Sequence, residues 1–279
     1  MNKVQQMQDR LWNPIVEKLI ASLEAGVTTE KWEKPWVTRL HTNVFSKKAY
    51  QGGNQIRLMF SGEECPYWAT PHQWMQNGYR IDGAKVTGWI YSVSSKKDED
   101  GNIKFFLPKI YNLINGSRID GFEWDKTPPV PELPEIQAYF DRHSIKIVHD
   151  DTGRAFYTSA GDYINMPPIN LFKDNVAYYA VLAHEAIHWT SHKDRVNRDL
   201  SNYGRDIKAR AYEELIAEFG ATMIGASLGM STDVREDHLQ YLASWLKALR
   251  QDKTVLQRAV VDAAKAVAYL SASSTPDEE

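Results

Sequence analysis

Val181-Leu182-Ala183-His184-Glu185-Ala186-Ile187-His188-Trp189 is the stretch from which the rest of the chain is read. Its centre, His184-Glu185-Ala186-Ile187-His188, has the form H-E-x-x-H. On an α-helix, residues four apart share one face about 6 Å apart along the axis, so both imidazoles can converge on one ion. Glu185 sits one position round from His184 and reaches a water beside that ion. Zinc suits the pair, because neutral imidazole is a good ligand and a catalytic site keeps one position open for water; Mn2+ is the other divalent candidate. Such an ion lowers the pKa of the water, and the neighbouring carboxylate takes its proton as general base. Apart from Glu185, no Asp, Glu, Lys or Arg lies between Val176 and His192, so the helix is expected to be buried. A buried helix whose histidines merely make core hydrogen bonds would carry the same apolar signature.

A catalytic zinc needs a third protein ligand. His192 lies a further four residues on, and a straight helix carries it about 12 Å from His184, too far to share the ion. It reads as a capping, supporting or exposed group. Asp194 stands where a metzincin would have its third histidine. The better source is Ala211-Tyr212-Glu213-Glu214-Leu215-Ile216-Ala217-Glu218-Phe219-Gly220-Ala221, where three carboxylates interrupt an apolar helix. Buried carboxylates are costly unless something pairs with them. Glu214 and Glu218 share a face, which suits a ligand and an acceptor that orients a histidine N–H. Glu213 is the rival ligand. The order of these motifs resembles thermolysin-like gluzincins.

The chain has 279 residues, enough for one large domain or two ordinary ones, and is 43% hydrophobic and 25% charged, as globular proteins are. No apolar run approaches the ~18–20 residues of a membrane span, and Met1–Arg10 is too polar for a signal peptide. A single cysteine, Cys65, excludes an internal disulfide framework and fits a reducing cytoplasm. It reads as a small packed side chain. Residues 1–130 hold 17 Lys/Arg against 14 Asp/Glu and seven of the nine tryptophans, whereas the remainder holds 16 against 22. That contrast favours two domains. The proline-rich stretch 125–134 is the expected connector, since four prolines in ten residues cannot hold a helix or a sheet ladder.

The expected fold is α+β throughout. In the first part, a helix over 7–23 ends at Gly26, short helices follow at 56–60 and 71–77, and strands at 85–93 and 104–112 flank the polar loop 94–102. In the second, a helix at 134–143 and strands at 146–149, 155–157 and 162–167 precede helices at 175–192, 205–228, 236–251 and 254–271. A small sheet followed by a metal helix and a supporting helix is the zincin arrangement. The expected boundaries are a first domain at 1–126, a linker at 127–134, a metallopeptidase-type domain at 135–272 and a disordered acidic tail at 273–279.

With these residues in view, the chain resembles the ArdC-type antirestriction proteins of plasmids and phages, which are related to the N-terminal part of TraC-like primases. The likeness rests on Lys34-Pro35-Trp36, Tyr50-Gln51-Gly52-Gly53-Asn54, Trp68-Ala69-Thr70 and Asn77-Gly78 in the first part. In the second it rests on 162–167, Tyr178-Tyr179-Ala180, the H-E-x-x-H stretch, Arg195-Val196-Asn197-Arg198 and 213–218. The resemblance implies an N-terminal domain that binds single-stranded DNA and a C-terminal zincin-like metallopeptidase domain, acting where incoming DNA must escape host restriction. The family's Gly-Glu-Lys-Gly turn reads Asp82-Gly83-Ala84-Lys85 here, one charge contact fewer.

Binding a single strand without sequence choice needs aromatic faces for bases and cations for phosphates. Trp32, Trp36, Tyr50 and Trp68 interleave with Lys31, Lys34, Arg39, Lys47, Lys48 and Arg57, and form the expected DNA surface. Most tryptophans of so small a domain are nevertheless expected in its core. The leading functional reading is an antirestriction-type protein with a zinc peptidase site: His184, His188 and Glu214 as ligands, Glu185 as base, Tyr157 or Tyr163 facing the oxyanion. Its substrate would be a DNA-bound host protein or the restriction enzyme. The alternatives are a non-enzymatic coat on single-stranded DNA with a structural metal, and a direct blocker of the restriction enzyme. No membrane partner is expected.

Overall fold

The computed structural model describes residues 3–29, 31–97, 103–127, 131–150, 152–230 and 242–272. By packing, the chain forms two compact units: Met1–Lys18 with Pro35–Thr127, and Leu19–Lys34 with Pro128–Glu279. The division differs from one drawn at the prolines alone, because Leu19–Lys34 groups with the second unit. Of the sequence expectations, residues 98–102 of the polar loop, 128–130 of the linker, the helix start at 236 and the tail 273–279 lie outside the described residues.

Helix α1 (Lys3–Thr29) is longer than its apolar repeat suggests, and Gly26 does not end it. A Cβ at Gly26 would stand 2.9 Å from Leu242 Cδ1 and 3.0 Å from Trp32 Cδ1, so this glycine serves close approach rather than a left-handed turn. In the first unit α1 is followed by β1 (Thr42–Asn43), α2 (Gly53–Met59), β2 (Tyr67–Ala69), α3 (Pro71–Gln76), β3 (Gly88–Lys97) and β4 (Ile103–Asn115). The sheet runs β1-β2-β4-β3, with β1 and β2 parallel and the other pairs antiparallel. Thr70 and Gln73 close a capping box over the start of α3, and Pro71 occupies its first turn. Trp74 is the centre of one core cluster: its indole N–H donates to the Ile114 carbonyl at 3.1 Å, and Phe45, Tyr79 and Phe122 meet it edge-on. Leu58, Trp68 and Leu113 form a second cluster, and Cys65 is buried as expected.

The Trp68 indole N–H donates to Nδ1 of His41 at 2.9 Å, which requires a neutral imidazole. Burial, reinforced by the nearby Arg39 cation, pulls His41 down from 6.5 to about 3. Between those values the unfolded chain binds a proton that the folded chain excludes, so stability falls as pH drops below 6.5. At about pH 5 the loss should be about 2 kcal/mol, at 1.36 kcal/mol per unit. Urea titrations of the full chain near neutrality and near pH 5 measure it. His41→Asn, which keeps an acceptor for Trp68, should flatten the dependence; an equally steep loss in that variant would clear His41 of responsibility.

The second unit contains α4 (Leu133–Asp141), β5 (Ile147–Val148), β6 (Phe156–Thr158), β7 (Tyr163–Asn165), α5 (Asn175–Trp189), α6 (Ile207–Ser227), α7 (Leu242–Gln251) and α8 (Thr254–Ser271). Its sheet runs β5-β7-β6, which leaves β6 on an edge. Asp174 caps α5 by accepting from the Ala177 N–H at 2.7 Å, and Asp206 caps α6 through Lys208. Helix α6 is buried on all sides from Glu213 to Ala226 and packs against α5, α7 and α8. At Gly220 a Cβ would meet Ile187 Cδ1 at 2.5 Å, so α5 and α6 approach as closely as side chains allow. Among the described residues no helix is long and apolar enough to cross a membrane.

Candidate metal centre

Helix α6 carries three carboxylates into the interior, and each has its own partner. Glu213 lies 3.0 Å from His188 Nδ1 and accepts from Arg198 Nη2 at 2.7 Å and Nε at 3.1 Å. Glu214 faces the histidines of α5: Oε2 is 3.3 Å from His184 Nε2, and Oε1 is 3.7 Å from His188 Nε2. Tyr203 donates its phenol proton to Glu214 Oε1. Glu218 pairs with Lys34 Nζ at 2.6 Å. Glu218, expected to orient a histidine, is thus placed against a lysine. It lies one turn beyond Glu214 on α6, and Glu213 is the carboxylate within hydrogen-bond distance of His188.

His184 and His188 stand edge to face with ring centroids 5.0 Å apart. One donor atom from each of His184, His188 and Glu214 lies within 4.8 Å of the other two. Two imidazole nitrogens and one carboxylate oxygen are a donor set for a divalent cation of the zinc type. The cluster opens into a cavity of about 260 Å³, also lined by Glu185, Phe156, Tyr157 and Tyr203. Burial alone would lower His188, but the carboxylates of Glu213, Glu214 and Glu185 outweigh it and hold the imidazole above its usual value. In Glu213 burial pushes the carboxyl up, yet His188 and Arg198 win and hold it below its usual range. An ionised Glu213 is placed to accept a proton from Nδ1 of His188, which turns Nε2 toward Glu214 and the cluster.

Two arginines of the loop after α5 hold that helix in place. Arg198 Nη2 donates to the Ile187 carbonyl at 2.7 Å and Nη1 to Thr190 Oγ1 at 2.8 Å. Arg195 Nε donates to the Trp189 carbonyl at 2.7 Å, and its guanidinium lies 3.8 Å from the Trp189 ring centre. Cations are favoured where helix carbonyls end. Asn197 between them takes a left-handed conformation at φ 56°, which asparagine tolerates.

Other expected site residues fall elsewhere. His192 lies beyond the end of α5 beside Asp194, outside the cluster. Tyr157 lines the cavity, but its hydroxyl is tied to Asp162, and burial together with that carboxylate pushes it up to about 12. Tyr163 does not line the cavity; Lys146 sits 5.7 Å from its ring centre. Tyr203, the tyrosine that touches Glu214, has no pattern around it in the sequence that would have singled it out.

Of the expected DNA surface, Trp32, Trp36 and Trp68 are buried and present no free face to a base. Trp32 packs edge-on against Trp245, Trp36 lies tilted against Phe60, and Trp68 sits in the core with Leu58 and Leu113. Lys34 is taken up by Glu218. Arg39 and Tyr50 are half-buried, the former 5.9 Å from the Trp124 ring centre. Lys47 and Lys48 are exposed in the first unit and Lys31 in the second. Arg57 is drawn over the Trp12 ring at 5.0 Å.

Residues 134–265 match the family described as zincin-like metallopeptidase, and residues 9–113 match the N-terminal domain of the anti-restriction factor ArdC. The class is therefore a two-domain α+β protein with an antirestriction-factor domain ahead of a zincin-like one. The metal-free crystal structure of the antirestriction protein ArdC from plasmid R388 superposes with a TM-score of 0.75 at 33% identity, over 93% of this chain and 96% of that one. Its Mn(II)-bound structure gives 0.75 and 32%, over 96% and 99%. The chain belongs to the ArdC antirestriction family. It is also 32% identical to the uncharacterized protein y4eC of Sinorhizobium fredii, over 91% of this chain and 88% of that protein. A DNA primase TraC of Escherichia coli is 30% identical over 90% of this chain, which spans 26% of the primase.

Proposed function

We propose that this antirestriction protein joins a zinc-dependent peptidase site to a surface for single-stranded DNA, and that it cleaves a DNA-bound host protein or the restriction enzyme itself. The carrying observation is the convergence of His184, His188 and Glu214 beside Glu185 in one open cavity. A purely structural zinc is usually closed off by four protein ligands, whereas a catalytic one keeps an open position. Zinc held by the three side chains would supply a Lewis acid that polarises the scissile carbonyl and acidifies a water. Glu185, buried at 4% exposure on the cavity wall, is suited to take the proton of the attacking water and release it to the leaving amine. Tyr203, which donates its phenol proton to Glu214, is suited to fix the orientation of that carboxylate as a ligand. DNA binding is supported by the kinship with the N-terminal domain of ArdC and with a DNA primase.

Glu185→Gln keeps the ligands and removes the base. It should bind metal like the parent chain, measured by mass spectrometry of the purified protein, and hydrolyse a protein substrate about a hundredfold more slowly or worse. Equal cleavage by the variant would exclude this chemistry. Full protection of incoming DNA by the variant would favour a coat on single-stranded DNA in which the metal is structural.

A further inference from the structure

Within the first unit, away from the metal cluster, α1, α2 and the start of β3 enclose a second cavity of about 440 Å³. This is within the range of small-ligand sites. Its floor is apolar, formed by Leu11, Pro14, Ile15 and Phe60, and no carboxylate is among its lining residues. Three cations, Arg10, Lys18 and Arg57, share its wall with Trp89. Trp89 is 41% exposed, in contrast to the buried Trp32, Trp36 and Trp68.

Two polar atoms of this wall lack partners. Arg57 Nε and Thr87 Oγ1 are both buried and make no hydrogen bond among the described residues. Arg57 donates to Asn54 Oδ1 and lies on the Trp12 ring, but no carboxylate among the described residues pairs with it. Burial pulls this guanidinium down to about 10, the mark of a cation without a counter-charge. Lys18 is anchored by donating to the Phe60 carbonyl at 2.9 Å. Pro14 has no N–H, so the Arg10 carbonyl loses its helical donor at the same wall.

An apolar slot, an exposed indole, and a buried guanidinium flanked by two further cations match the two halves of a nucleotide: a base with a π-face, and a phosphate that needs positive charge. A base paired in a duplex cannot enter such a slot without leaving its stack. We propose that this cavity is a nucleotide subsite for single-stranded DNA, with an unpaired base against Trp89 and the apolar floor and its phosphate at Arg57, Arg10 and Lys18. This assignment rests on the reading of the first unit as a single-strand binder and names where on it a strand is held.

The test is anisotropy of a labelled oligo(dT) of about ten nucleotides, within the known range of single-strand site sizes, titrated with the full-length protein across a salt series. Trp89→Ala should weaken binding about tenfold, Trp89→Phe should restore most of it, and binding of a duplex of equal length should be indifferent to both. Arg57→Gln should lower the slope of log affinity against log salt by about 0.7, the value of one single-strand phosphate contact. Arg57 packs on Trp12 and its loss could disturb folding, whereas Trp89 is exposed and its variants report regardless. If the parent chain binds oligo(dT) and Trp89→Ala binds it equally well, the subsite is overturned while single-strand binding stands. A parent chain that fails to bind oligo(dT) overturns both. Capture of a labelled leucine-rich peptide that Trp89→Ala abolishes, with oligo(dT) binding intact, would give the cavity to a protein segment and also overturn the proposal.

Discussion

Glu213→Ala should destabilise the second unit by about 3 kcal/mol or more and weaken metal binding at least tenfold. Glu213 is 3% exposed and takes hydrogen bonds from both His188 and Arg198. Removing it takes from the buried Arg198 guanidinium the carboxylate it is hydrogen-bonded to, and an undercompensated buried charge costs more than a lost contact. The same deletion frees the His188 ring to rotate or to change tautomer, which lowers its fitness as a ligand. Glu213→Gln keeps an acceptor for the histidine and should fall between the two. Stability is read by urea denaturation with chelator present, and affinity by competition with a chromophoric chelator, so each effect is measured without the other. Unchanged values in both assays for Glu213→Ala would remove the Arg198–Glu213–His188 chain from any role in building the site.

A comparable loss is expected at the other end of the buried carboxylate row. Lys34 and Glu218 meet at 2.6 Å with side chains 9% and 3% exposed, so both charges have left water. Lys34→Met removes the ammonium that faces Glu218 and should lower stability by about 3 kcal/mol. Pairing it with Glu218→Leu should recover most of that loss, because two apolar side chains of similar volume can replace a buried ion pair at little cost. The double-mutant cycle by denaturation tests this. If the single variant were silent, the pair would be no more than a surface contact in energetic terms. Affinity for oligo(dT) should be unaffected in either variant, since Lys34 is committed to α6.

The residues that could be read ahead of the structure are those whose meaning is local. His184 and His188 meet because four residues make about one helical turn, and Glu214 comes to them because an apolar helix has to pair its carboxylates. The β3–β4 hairpin follows from alternation around a polar turn. What escaped depends on distant partners or on ambiguous letters. Nothing near Lys34 announces Glu218, which lies far along the chain on α6. Gly26 looks like a helix terminator, yet it is there so that Trp32 and Leu242 can approach the backbone. A tryptophan among lysines reads alike whether its ring faces core or solvent. The alternation that turns Ile90 toward Leu58, Trp68 and Leu113 turns its neighbour Trp89 away from them, a signal that was available in the sequence. The Glu214–Glu218 spacing gave a shared face, but α6 is buried all round, so a shared face did not mean a shared partner.

The backbone passes between the two units after Lys18, again after Lys34 and once more after Thr127. No single cut therefore yields two intact halves. A gene fragment starting at the prolines would encode the metal cluster without Trp32 for Trp245 or Lys34 for Glu218, and would leave an open seam in its interior. A fragment that keeps Leu19–Lys34 with Pro128–Glu279 would keep those pairs. The match to a TraC primase over 90% of this chain, within a protein nearly four times as long, covers the two units together.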